Sequence, residues 1–389
     1  MFGFKKNILS FKIAQFVSLE GISHIFMALF GVLIARKFGV EFKGQLSQIK
    51  LFGGLVYLFL LSGIRYGVLK SSNLDHHKII NWILFFGFIF GIPVLLLSFY
   101  FEKDFHFHYY YALFFLLAEI LYVNKVKSLH IKNAAVYNIL PILIVLLVVV
   151  GFSDLVTPAW IALSPYAISV ILFLFLERRR FNFREILRID RRAKDFWYYY
   201  RSEGFAQMMI SVLNSIPGYV PLLFLSLNVR ELGIYSLAAG FNLIVLKLTR
   251  VLSVISYRSE LSTRLFTKEI IGYTLLVVLF SISVFPFLDE IIVFVYGPSF
   301  ADAILVSKIL IFSAVFLPVN SKFEALCISG NHLKLYLWVV SLLLIVYVPL
   351  YFVNLTSVSV AFALMIYRML LFVVAAISNY IYFRNYDSN

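Results

Sequence analysis

The sequence predicts an all-α, polytopic membrane protein with twelve transmembrane helices in two six-helix lobes. The lobes are expected to be related by a pseudo-two-fold axis along the membrane normal. Three observations carry this expectation. Twelve apolar runs fill the 389 residues almost end to end. Each run is close to the ~20 residues that cross ~30 Å of hydrocarbon at 1.5 Å per residue. A single strongly basic segment, Glu177–Asp195, then splits the runs six and six.

Composition supports the same class. A soluble chain carries about a quarter charged residues, whereas this one has 14% charged against 62% hydrophobic. The runs are apolar all round rather than striped, which in a chain of this length means contact with lipid. Aromatic clusters such as Tyr109–Tyr111 and Trp197–Tyr200 sit at run edges, where interfacial belts belong. The net charge of +14 would suggest nucleic acid in a soluble protein; in a membrane protein it is the expected excess of inner-loop Lys and Arg.

In order along the chain, the runs give spans at 13–34, 46–69, 81–100, 109–126, 134–151 and 158–176. The second half gives 203–226, 233–256, 270–288, 303–327, 334–353 and 357–382. The first run does not read as a cleaved signal peptide, because Gln15, Glu20 and His24 interrupt it and no small-residue cleavage site follows. These spans divide the chain into an N-terminal lobe, 1–176, a basic cytoplasmic linker, 177–200, and a C-terminal lobe, 201–389. Placing both termini and the linker in the cytoplasm puts most Lys and Arg inside, including all eight from Arg178 to Lys194. Only Arg36, Lys37, Lys43, Lys103 and Arg230 then fall outside. This obeys the positive-inside rule, so both termini and the linker are expected in the cytoplasm. The outer loops are all short, which leaves no room for an external catalytic domain.

Several chemistries are disfavoured. Cys327 is the single cysteine, so neither an intramolecular disulfide nor a Cys-rich metal site is expected. There is no His-Glu-x-x-His zinc motif, and the His106/His108 pair is expected in a short loop with no metal role. The chain also lacks an Asp-x-Asp pair and a phosphate-binding Gly-x-x-x-x-Gly-Lys-Ser/Thr loop. No catalytic residue, metal or resident cofactor is expected, and a proton or sodium gradient is the natural energy source.

Two further features point to transport. Phe38–Ser47 resembles Leu227–Ser236 at a constant offset of 189, with Gly44 and Gly233 coinciding, and each stretch precedes the second span of its half. Glu20-Gly21 likewise echoes Glu203-Gly204. An even number of spans per repeat gives both copies the same orientation, an architecture in which the substrate path runs at the interface of the halves.

The second feature is charge at membrane depth, at Glu20, Glu119, Lys247, Arg250, Lys308 and Arg368. Facing lipid, these six would cost on the order of 15–20 kcal/mol, so they are expected to line a wet or paired interior. Lys308 and Lys322 are spaced to share one helix face over ~21 Å. Arg368 shares a face with Ser357, Ala361 and Ala375. The expected cationic cavity is Arg65, Lys247, Arg250, Lys308 and Arg368. The expected coupling-ion groups are Glu20, His24 and Glu119. A positive interior selects an anionic substrate, and phosphate suits Arg and Lys.

Leu232-Gly-Ile-Tyr-Ser-Leu-Ala238 and Val295-Tyr-Gly-Pro-Ser-Phe-Ala-Asp-Ala303 resemble second-half signatures of Wzx-type polysaccharide flippases. Ala35-Arg-Lys-Phe-Gly39 with Gly44, and Gly63-Ile-Arg-Tyr-Gly67, do so in the first half. That family belongs to the multidrug/oligosaccharidyl-lipid/polysaccharide exporter superfamily. The resemblance implies two six-helix lobes, a V-shaped alternating-access cavity, and flipping of an undecaprenyl-pyrophosphate-linked oligosaccharide for O-antigen, capsule or exopolysaccharide synthesis. It implies a lipid-linked anionic oligosaccharide and membrane lipid as ligands, and a polysaccharide polymerase and chain-length regulator as partners. No catalytic motif carries over, and the two extra spans of peptidoglycan-precursor flippases are missing. The alternatives are a multidrug exporter of the same superfamily, which would favour an acidic cavity, and a membrane polymerase or glycosyltransferase.

Overall fold

The structure is a computed structural model. It describes residues 2–58, 83, 87, 91–96, 98–100, 105–127, 131–152, 154, 156–176, 198, 201, 205–240, 265–266, 268–329, 333–347 and 356–379. Among these residues every regular element is helical. The long helices are α1 (Phe2–Val56), α2 (Phe105–Lys127), α3 (Ile131–Gly151), α4 (Pro158–Leu176) and α5 (Phe205–Leu225). They continue with α6 (Lys268–Val284), α7 (Leu288–Tyr296), α8 (Ala303–Ala314), α9 (Leu317–Ser329), α10 (Leu333–Tyr347) and α11 (Ser357–Ser378). A further helix covers 229–240. The basic linker lies outside the described residues except at Tyr198.

Three helices are long and apolar enough to cross a membrane, Pro158–Leu176, Ile270–Tyr296 and Ser357–Ser378, and a bent pair over Ala303–Ala314 and Leu317–Glu324 is a candidate fourth. These counts refer to the described residues alone. The expected span at 270–288 therefore runs on to Tyr296, through a 3₁₀ turn at Phe285–Phe287 built on Pro286.

Two expected connections take another form. The turn anticipated between 34 and 46 is a one-residue elbow that divides α1 into two helices: Gly39 has φ 82° and ψ −174° and the chain is helical on both sides. Only glycine takes that conformation without strain. His106 and His108 lie in the first turn of α2 rather than in a loop. The His106 N–H donates to Ser98 Oγ (2.9 Å), and His108 Nδ1 lies 3.4 Å from the Ile49 carbonyl.

By Cα packing the chain forms two compact units, Met1–Gly31 with Gln48–Val212, and Val32–Ser47 with Leu213–Asn389. In the first, α2, α3 and α4 pack on one another. Leu113, Leu116, Leu117 and Ile120 recur at helical spacing and meet Val170 and Phe173 of α4. Tyr166 makes edge-to-face contacts with Tyr111 and Phe115, at 5.5 and 5.3 Å between ring centroids. Such pairs add about 0.5–1.5 kcal/mol beyond area burial.

The second unit is organised around α11, which packs against α8, α9 and α10. Its start is well defined. Thr356 and Ser359 form a capping box, and the Glu231 carboxylate accepts the Ser357 N–H at 2.7 Å. A carboxylate at a helix N-terminus also meets the positive end of the dipole. Ser357, Val360, Ala361, Leu364, Tyr367, Arg368, Leu371 and Ala375 make one buried face. The opposite face presents Phe362, Met369, Val373 and Ile377 outward, each at least 42% exposed. A helix apolar on its outer face and carrying its one cation inward is built for lipid.

Phe323 is fully buried in this core while Phe362 is half exposed. Phe323→Ala is expected to cost about 3–5 kcal/mol, and Phe362→Ala less than about 1 kcal/mol. Thermal melting of the purified protein in detergent checks the contrast: only the first substitution should lower the midpoint by many degrees.

Candidate functional site

A proline creates the site. The apolar run 303–327 reads as one span, but Pro318 has no N–H, and its ring would clash with the carbonyl four residues back, that of Ala314. Helix α8 ends at Ala314, α9 restarts at Leu317, and the two are bent by 50°. Tightened i→i−3 bonds bridge the gap, from the Val315 N–H to the Phe312 carbonyl (3.2 Å) and from the Phe316 N–H to the Ser313 carbonyl (3.4 Å). The proposed common positive face of Lys308 and Lys322 is therefore not formed, because the bend lies between them.

Arg368 of α11 occupies this break. Its Nη1 donates to Ser313 Oγ at 2.7 Å, and its main-chain carbonyl accepts from Asn320 Nδ2 at 3.0 Å. Ser313 in turn donates to the Leu310 carbonyl at 2.7 Å. One residue thus ties the end of α8 to the start of α9. Arg368 is 9% exposed, Asn320 6% and Ser313 fully buried. Because Nδ2 holds a carbonyl, the Asn320 amide orientation is set, and its buried Oδ1 has no hydrogen-bond partner among the described residues. The phenols of Tyr235 and Tyr367 lie within electrostatic reach of the guanidinium, and Glu324 acts on Tyr367 in the same way. The arrangement is a buried cation with hydroxyl, amide and phenol groups beside it, on a broken helix. Irregular backbone at membrane depth is tolerated where protein buries it or where it lines a cavity, and discontinuous helices are a recurrent setting for transporter binding sites.

The other expected site residues are placed as follows. Lys308, on α8, meets Asp289 of α7 at 2.5 Å and lies 5.5 Å from the Phe285 ring centre. Its charge is therefore answered by a carboxylate. Arg65, Lys247 and Arg250 lie outside the described residues. Glu20 and His24 fall on α1 and Glu119 on α2, with side chains outside the description. Lys322 of α9 is buried. Among the described residues no three His, Cys, Asp or Glu side chains converge as a metal-ligand set.

Sequence reading did not find Ser313, Asn320 or Tyr235. The available signal was Pro318 inside an apolar run, with Ser313 and Asn320 on either side of it.

Ser313→Ala removes a buried acceptor from Arg368 and is expected to cost about 1–3 kcal/mol, whereas Ser313→Thr keeps the oxygen and most of the stability. The Lys308–Asp289 pair has side chains 25% and 54% exposed, and its coupling in a double-mutant cycle is expected below about 1 kcal/mol. Detergent melting curves of these variants provide both measurements.

The sequence matches no protein-family model and no curated protein. Solved structures do match. A structure of the lipid II flippase MurJ in an inward closed conformation aligns with a TM-score of 0.70 at 14% identity, covering 93% of this chain and 87% of that one. An outward-facing multidrug resistance MATE family transporter of the MOP superfamily aligns over 99% of this chain and 97% of its own, at 14% identity and a TM-score of 0.48. The Vibrio cholerae MATE transporter VcmN in its bent form aligns over 97% and 93%, at 11% identity and a TM-score of 0.44. Both MATE likenesses fall below a TM-score of 0.5. At 14% identity the first likeness concerns fold and selects no substrate. The chain is a multi-pass, all-helical membrane protein with the fold of that flippase.

Proposed function

We propose that the protein flips an undecaprenyl-pyrophosphate-linked oligosaccharide from the inner to the outer leaflet of the bacterial cytoplasmic membrane. Transport is by alternating access of two six-helix lobes, in the service of O-antigen, capsule or exopolysaccharide synthesis. The observation that carries this reading is Arg368: a buried guanidinium on a broken helix, in a chain with a flippase fold. An arginine at such a place favours an anion. Its planar fork matches phosphate oxygens in two parallel bonds, and burial strengthens the attraction. The apolar outer face of α11 would meanwhile let a long prenyl tail remain among the lipids.

The full topology in this reading is twelve spans with both termini inside, and Arg65, Lys247, Arg250 and Lys308 join Arg368 along the path. Direction requires an energy source, because moving a pyrophosphate-linked sugar between leaflets is a near-neutral exchange. A proton or sodium gradient supplies it: 100 mV acting on one charge is ~2.3 kcal/mol. Glu20, His24 and Glu119 are the proposed coupling groups. A polysaccharide polymerase and a chain-length regulator are the partners that would consume and size the product.

The test is flipping of a lipid-linked oligosaccharide in reconstituted vesicles. Arg368→Ala should reduce the rate at least about tenfold, the effect of losing ~1.4 kcal/mol of stabilisation, while folded protein is retained. Arg368→Lys should recover only part, because an ammonium offers no bidentate fork. Normal flipping by Arg368→Ala would refute the assignment. In a Cys327→Ser background, Phe183→Cys should react with impermeant maleimide only from inside and Ser299→Cys only from outside. The reverse pattern would invert the topology.

A further inference from the structure

The segment Val32–Ser47 is packed into the second unit, although the chain on both sides of it, Met1–Gly31 and Gln48–Val212, belongs to the first. Ala35 is buried in the second unit's core and Val40 packs against it. The attachment has three separable parts.

One part is a crossing of two backbones. A Cβ on Gly44 would stand 1.9 Å from the Val229 carbonyl oxygen and 2.7 Å from Val229 Cγ1. A Cβ on Gly233 would stand 2.3 Å from the Val40 carbonyl oxygen and 3.1 Å from the Gly44 nitrogen. Either would force the helices apart, so only glycine permits the approach. The contact is also reciprocal. Gly44 and Gly233 are 189 positions apart, and so are Val40 and Val229. Each glycine receives the carbonyl four residues before the other. Equivalent positions of the two similar stretches are thus each other's partners.

A second part is a latch. The last carbonyls of a helix have no partner within it. At the end of α7, the Gly297 N–H takes the Val293 carbonyl at 3.0 Å, and Arg36 Nη2 of the segment donates to the Phe294 carbonyl. A cation there also meets the negative end of the helix dipole. Arg36 is exposed, so water can replace this bond when it breaks.

The third part is the elbow. Gly39 lies between latch and crossing, with φ 82° and nothing within 4 Å of where a Cβ would stand. The chain there is bent at a residue free of side-chain constraint, and glycine takes both this conformation and its alternatives at little cost.

We propose that Val32–Ser47 is a releasable strap on the second unit, latched by Arg36, hinged at Gly39, and seated through the Gly44–Gly233 crossing. Release separates the repeat-related backbones and exposes the surface around Val229. The strap works the same way whichever cargo the protein carries.

The test uses Val229→Cys in the Cys327→Ser background, as purified protein reconstituted in vesicles, and follows its rate of reaction with an impermeant maleimide. No substrate is added, so the result is independent of the cargo assignment. Arg36→Gln is expected to raise the rate about fivefold, as for loss of one charge-assisted hydrogen bond at an exposed site, and Arg36→Lys to raise it less. Gly44→Ala and Gly233→Ala should each raise it to a similar extent, and together no more than either alone, because both unseat one crossing. An unchanged rate in Arg36→Gln removes the latch. Unchanged rates in the folded glycine variants, or additive effects, overturn the strap. If the glycine variants do not fold, Arg36→Gln alone decides.

Discussion

A guanidinium that is nine-tenths buried in an apolar helical core has to be held by something, and the second unit is arranged to hold Arg368. Pro318 breaks the apolar run so that Ser313 and Asn320 face α11 at the gap, and Arg368 fills that gap with both its side chain and its carbonyl. Pro318 thus sets the bend that brings the acceptor Ser313 and the donor Asn320 to the same residue. The packing of α11 on α8, α9 and α10 places the cation there. The capping box and the Glu231 carboxylate fix where that helix begins. Breaking a buried charge's contacts by removing one partner is costly, about 3–5 kcal/mol for ion pairs and less for neutral partners. Such an arrangement is a costly way to gain stability alone and a sound way to keep a charge in place.

Much of the fold was legible in the sequence because lipid imposes simple demands. Every backbone group must be satisfied within its own helix, so apolar runs of span length read directly as helices. The inward face of α11 was legible too, since Arg368, Ser357, Ala361 and Ala375 recur at helical spacing and are all buried together. What was missed depended on tertiary partners or on single torsions. Hydropathy treats Pro318 as one residue among many, so 303–327 read as a straight span. Gly39 read as part of a turn, because nothing in the sequence says that its φ is positive while the helix resumes beyond it. The carboxylate partner of Lys308, Asp289, was not legible either, because it lies 19 positions earlier in the chain on another helix.

The internal repeat has a different status after the structure. As a sequence match it rested on a few coincident residues around Gly44 and Gly233. The reciprocal contacts of those glycines with Val229 and Val40 give it a physical content, since the same positions of the two copies are used as each other's partners. Closely approaching glycine backbones need no hydrophobic drive, which suits a membrane where tails are as apolar as leucine. Arg36 then contributes the polar contact, at a helix end where a carbonyl would otherwise go unpaired.

The central claim is that Arg368 meets the anionic headgroup of a lipid-linked sugar. The most direct measurement is an experimental structure of the protein in lipid nanodiscs with undecaprenyl pyrophosphate bound. The account predicts a phosphate oxygen within hydrogen-bond distance, about 2.7–2.9 Å, of the Arg368 guanidinium, with the Asn320 amide still on the Arg368 carbonyl. A headgroup bound elsewhere, with Arg368 still donating to Ser313 and no phosphate beside it, would contradict the account.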